Sequence, residues 1–167
     1  MSFRILGLDP APFAALYGLA EAELAARGVE RHVADACPGY PDRIEIRDAD
    51  PGESLLLLNH EYQPPGTPYH GRHAIFVREG ARERYDRIDE VPPAMRRRTL
   101  SLRAFDARHH MLDAELVEGA RAEPVIERFL SRQDVRYVHA HYALRGCYAG
   151  LIVRPGVDLA GVAPLPG

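Results

Sequence analysis

The sequence predicts one α+β domain, mainly antiparallel sheet with a few short helices on one face. Short apolar or alternating runs recur between turn clusters, and one later stretch carries the apolar stripe of an amphipathic helix. The chain then closes in a strand–strand–helix–strand–strand order, which lays that helix on one face of a sheet. The 167 residues suit a single domain, expected over 1–156 and followed by a flexible tail over 157–167 rich in Gly, Ala and Pro.

Phe3 to Leu8 reads as a strand closed by Asp9-Pro10, and Pro12 to Leu16 and Ala20 to Arg27 read as short helices ending at Gly28. A strand is expected near Val29 to Ala34, then the turn Pro38-Gly39-Tyr40-Pro41. Arg43 to Arg47 follows as a strand with Ile44 and Ile46 on one face, and Asp50-Pro51-Gly52-Glu53 as another turn. Leu55 to Leu58 is a continuous apolar run, which predicts a strand buried on both faces, with Ala74 to Arg78 as its partner. The stretch between them, His60 to His73, reads as a loop of about fourteen residues, a length that usually marks a functional segment.

The second half is more regular. Thr99 to Phe105 and His110 to Leu116 pair as strands around a His109-His110 surface turn, and Val135 to Tyr142 with Cys147 to Val153 form a final hairpin. Between these pairs, Ala122 to Arg132 is a helix: Val125, Ile126, Phe129 and Leu130 form a one-sided stripe, and Pro124 sits in the first turn, where a missing N–H does no harm.

Composition bounds the chemistry. A net charge of −3 gives no concentrated basic surface, so nucleic acid is not expected as a partner, and Arg96-Arg97-Arg98 reads as a solvated turn. All 21 basic residues are Arg, so no lysine Schiff base or P-loop lysine exists. Glycine-rich phosphate loops, GxSxG and HExxH are absent. Cys37 and Cys147 lie far apart, which predicts reduced thiols. No signal-peptide pattern or membrane-length apolar run is present, and a cytoplasmic protein without membrane partner is expected.

The sharpest cluster is His139-Ala140-His141 with Cys147. On a strand, His139 and His141 point to one face about 6.6 Å apart along the chain, a spacing from which two imidazoles can hold a divalent transition metal. Cys147 joins that face if the hairpin loop is odd, for instance Leu144 to Gly146, and leaves it if the loop is even. On the same face, Cys147 with His139 and His141 makes a nucleophile–base set; otherwise Cys147 is a small core residue and the histidines are buried, hydrogen-bonded groups. A second group, His60, Tyr69, His70 and His73, is placed to line a pocket mouth. Arg103 suits a bound carboxylate, though a core-edge ion pair is the plainer expectation.

Taken together, Pro38-Gly39-Tyr40-Pro41, Pro51-Gly52-Glu53, Leu55 to Leu58, Pro68-Tyr69, Ala74 to Arg78, Leu102-Arg103, His139-Ala140-His141 and Gly146-Cys147-Tyr148-Ala149 resemble the DUF1203 family of uncharacterised bacterial proteins, from Phe3 to about Arg154. Where that family often carries a cysteine after the Pro-Gly-aromatic-Pro turn, this chain has Asp42. The resemblance implies no activity. The residues favour a small-molecule-binding or enzymatic domain with a histidine-rich pocket; the rival expectation is a non-catalytic interaction or structural protein, in one form a homodimer joined through a sheet edge.

Overall fold

A computed structural model describes residues 1–162. Alternating burial organises the described residues into a six-stranded and a three-stranded sheet, every neighbouring pair antiparallel. The larger sheet contains β1 (Arg4–Leu6), β5 (Asp86–Ile88), β6 (Thr99–Phe105), β7 (Met111–Glu118), β8 (Tyr137–Tyr142) and β9 (Cys147–Val153), in the order β5-β1-β9-β8-β6-β7. The smaller contains β2 (Glu30–Val33), β3 (Ser54–Gln63) and β4 (Gly71–Arg78), with β3 central. Helices are short: α1 (Glu21–Ala25), α2 (Pro93–Arg96) and α3 (Ala122–Ser131), with a 3-10 segment over Ala11–Leu16. The molecule is α+β, and no described helix is long and apolar enough to cross a membrane.

The stripe of α3 meets one face of the larger sheet. Val125, Ile126, Phe129 and Leu130 pack with Leu100, Leu102, Val138, Ala140 and Ile152. Burying each of these larger side chains stabilises by about 1.5–3 kcal/mol. The smaller sheet covers the other face: Leu56, Leu58, Ile75 and Val77 share a core with Tyr148 of β9. Leu55 turns the opposite way, to Ala34 and Ala49, so the leucine run is covered on both faces as its composition predicts.

Three expectations are corrected. Residues 43–47 do not form a strand: the buried Asp42 carboxylate accepts the N–H groups of Ile44 and Glu45 at 3.2 and 2.6 Å and folds the segment into a turn. Ile44 and Ile46 consequently enter different cores. The stretch His60 to His73 is mostly strand, because β3 and β4 run on through it and pair His60 with His73; a bulge at Tyr62 follows, and only 64–70 is loop. Val157, Leu159 and Val162 pack against Leu6, Phe105, Tyr137 and Leu151, so the tail is docked as far as Val162; residues 163–167 lie outside the described residues.

Candidate functional site

The last hairpin decides which side chains meet. Its turn is the four residues 143–146, with Gly146 at φ 74°. Tyr142 therefore pairs with Cys147 and His141 with Tyr148, and a bulge at Ala149 restores Ala140 to Gly150. Of the two registers open to the sequence, the even one is realised. Cys147 shares a face with Ala140 and Tyr142, opposite the histidines, and the arrangement of Cys147 as nucleophile beside His139 and His141 as base does not form.

His139 and His141 are fully buried between the sheets, their ring centroids 6.0 Å apart. Tyr62 meets His141 edge-on at 4.9 Å, His139 lies 5.1 Å from the rings of Phe105, Tyr137 and Tyr148, and His60 lies 5.6 Å from Tyr148. The Nδ1–H of His141 donates to the Gly146 carbonyl at 2.9 Å, which leaves the lone pair on Nε2. That Nε2, and Nε2 of His60, are buried without a hydrogen-bond partner among the described residues. Burial, then the positive charge of Arg103, holds His141 down at about 3; burial, then Arg43, holds His60 at about 4. Both rings are neutral near pH 7. Among the described residues no three His, Cys, Asp or Glu side chains are grouped to hold a metal ion, so His139 and His141 gain no third ligand.

Arg103 stands opposite His139 in the β6–β8 register and donates to Ser101 Oγ at 3.1 Å. It makes no ion pair among the described residues, contrary to the plainer expectation. Of the pocket-mouth group, His60 is buried at the cluster, whereas His70 bonds Glu61 at 2.9 Å and Tyr69 is 36% exposed beside His110. His73 lines a different feature.

That feature is a groove of about 870 Å³ along the β4 edge, closed by Arg97 to Thr99, which follow α2, and by the tip of the last hairpin. Arg43, Arg97, Arg98 and Arg145 line it with His32 and His73, and among the described residues no carboxylate does. Leu57, Phe76 and Tyr40 give it an apolar wall. Arg43 is almost wholly buried: it donates to the carbonyl of Tyr148 at 2.7 Å, to that of Pro41, and to Cys147 Sγ at 3.0 Å. Arg97 and Arg98 share the single carboxylate of Asp48, Arg98 at 2.6 Å. Arg145 is exposed and makes no ion pair among the described residues. The guanidinium groups of Arg43 and Arg98 each sit 5.0 Å from the Tyr142 ring centroid, and burial pushes that phenol up to about 12, so its hydroxyl stays a donor. His73 pairs with His60 across β3 and β4, which places the groove beside the histidine cluster.

Sequence reasoning missed the groove. Its signal was the Arg96-Arg97-Arg98 run, which looked solvated because Asp48, about fifty residues away in the chain, is unseen in local pattern. Arg43 gave no signal, since the Cys147 sulfur it reaches lies far along the chain.

A family model described as "Protein of unknown function (DUF1203)" matches residues 39–154. No curated protein and no solved structure matches. The match begins later than the resemblance visible from Phe3, yet it contains every groove-lining residue except His32. With more than half of its length inside that match, the chain belongs to the DUF1203 family.

Proposed function

We propose that this protein is a small-molecule-binding domain of the bacterial cytoplasm, and that its ligand is a small organic anion held in the arginine-lined groove, with the neutral histidine cluster as the wall behind it. The supporting observation is the lining: four arginines and, among the described residues, no carboxylate, on a chain whose net charge is −3. Guanidinium groups match the planar geometry of carboxylate and phosphate oxygens, and partly dry walls strengthen the attraction. Two of the four, Arg97 and Arg98, divide one acidic partner, and Arg145 has none among the described residues, so the groove keeps positive charge to offer. Tyr40, Phe76 and Leu57 suit an apolar body on that anion.

Thermal unfolding tests this with citrate, pyrophosphate and phenyl phosphate, using glycerol and phenol as uncharged controls. A ligand at about 100 times its Kd stabilises by about 2.7 kcal/mol, or about 5–10 °C in a chain of this size. At least one anion is expected to raise Tm on that scale, less so in about 0.5 M salt and less so for Arg145→Ala. Equal shifts with anions and uncharged controls would overturn the assignment.

A further inference from the structure

Cys147 lies on the wall of the same groove, and its surroundings are unlike those of an inert core thiol. We propose that Cys147 is a nucleophilic thiol that takes small carbon electrophiles carrying a carboxylate, making the groove a covalent modification site. The proposal rests on the groove being an anion site. The thiolate is the attacking form of cysteine, and reactive cysteines occupy electropositive, partly accessible settings. Cys147 is only 6% exposed on the groove wall, but its setting is electropositive: Arg43 Nη2 approaches its sulfur at 3.0 Å, and Arg97, Arg98 and Arg145 line the space in front of it.

A second observation points to a ligand beside the sulfur. Tyr142 pairs with Cys147 across the hairpin and lines the same groove, and it is only 4% exposed. Its hydroxyl nevertheless has no hydrogen-bond partner among the described residues. A buried phenol without a partner costs free energy unless a ligand or water satisfies it. A carboxylate held by the arginines accepts that hydroxyl while presenting the adjacent carbon to the sulfur.

Iodoacetate and iodoacetamide test this, because they deliver the same carbon with and without the charge. The sulfur of Cys147 bonds to the methylene carbon, the carbon–iodine bond breaks, iodide leaves with its electron pair, and the thiol proton passes to solvent. Cys37, exposed on the same chain, is the internal reference. Rates at both sites are read by peptide mass spectrometry on the folded protein. The iodoacetate-to-iodoacetamide rate ratio is expected to be at least about tenfold higher at Cys147 than at Cys37, and to fall toward the Cys37 value in Arg145→Ala and in about 0.5 M salt. Equal ratios at the two sites, or a Cys147 untouched by either reagent once Cys37 is fully modified, overturn the proposal. If either occurs while an unreactive anion still raises Tm, the anion site survives and only the nucleophile falls. If the anion shift is missing as well, both fall.

Discussion

His60 and His141 are neutral, buried bases, each with Nε2 turned into protein rather than water, and this ties stability to pH. An imidazole in the unfolded chain titrates near 6.5, whereas burial holds these two at about 4 and about 3. On acidification the unfolded chain takes up the protons first. The stability of the neutral rings is therefore fully present above about pH 6.5 and is lost as pH falls toward 4 and 3. Between about pH 6.5 and 4.5, unfolding free energy should drop by about 2–3 kcal/mol for each ring. The acids Glu53 and Glu79, held at about 2 by Arg47 and Arg31, add their losses only below that window. Urea titrations at several pH values check this, and His141→Gln isolates one ring: its curve should be flatter by that ring's share, and an unchanged slope refutes the assignment. The shared face of His139 and His141 was legible from strand alternation alone. The hydrogen bond that sets the tautomer of His141 was not, since Gly146 reaches it only through a turn whose length the sequence leaves open.

Among the elements, the strand pairs and α3 were readable because each satisfies a local period. The failed strand over 43–47 has a specific cause. Residues 43–47 alternate like a strand, but the buried Asp42 takes the N–H groups of Ile44 and Glu45, and that of Arg78 as well at 2.7 Å, so a side chain replaces strand pairing there. This turn also delivers Arg43 to the groove. It is held against the end of β1, where Leu8 N–H donates to the Arg43 carbonyl at 2.8 Å. Gly7 permits that approach: a Cβ there would stand 1.9 Å from the Ile44 carbonyl oxygen, which is backbone and cannot swing aside. Gly7→Ala should accordingly destabilise by more than about 2 kcal/mol and also weaken anion stabilisation by displacing Arg43. Urea unfolding with and without the best anion measures both effects; a variant as stable as the parent would show that the strand end and the turn are not in contact.

At the scale of the whole molecule, the larger sheet is covered by α3 on one face and by the smaller sheet and the chain's end on the other, so the histidine cluster is an interior feature and the groove opens at a seam between layers. Layering was predictable from element order, but the seam depends on contacts between distant segments. The same holds for the end of the chain. Its Gly, Ala and Pro content reads as a loose tail, whereas Val157, Leu159 and Val162 find an apolar patch of Leu6, Phe105, Tyr137, Leu151 and Val153 that only the assembled sheet presents. Val162 is 1% exposed, so Val162→Asp places a carboxylate among the apolar side chains of that patch. Such a charge must be desolvated, neutralised or expelled together with the segment that carries it. The expected result is a loss of about 2–4 kcal/mol in urea unfolding, with increased binding of a hydrophobic dye as the patch opens. A change under about 0.5 kcal/mol would mean that this segment contributes nothing to the fold, since surface substitutions fall in that range.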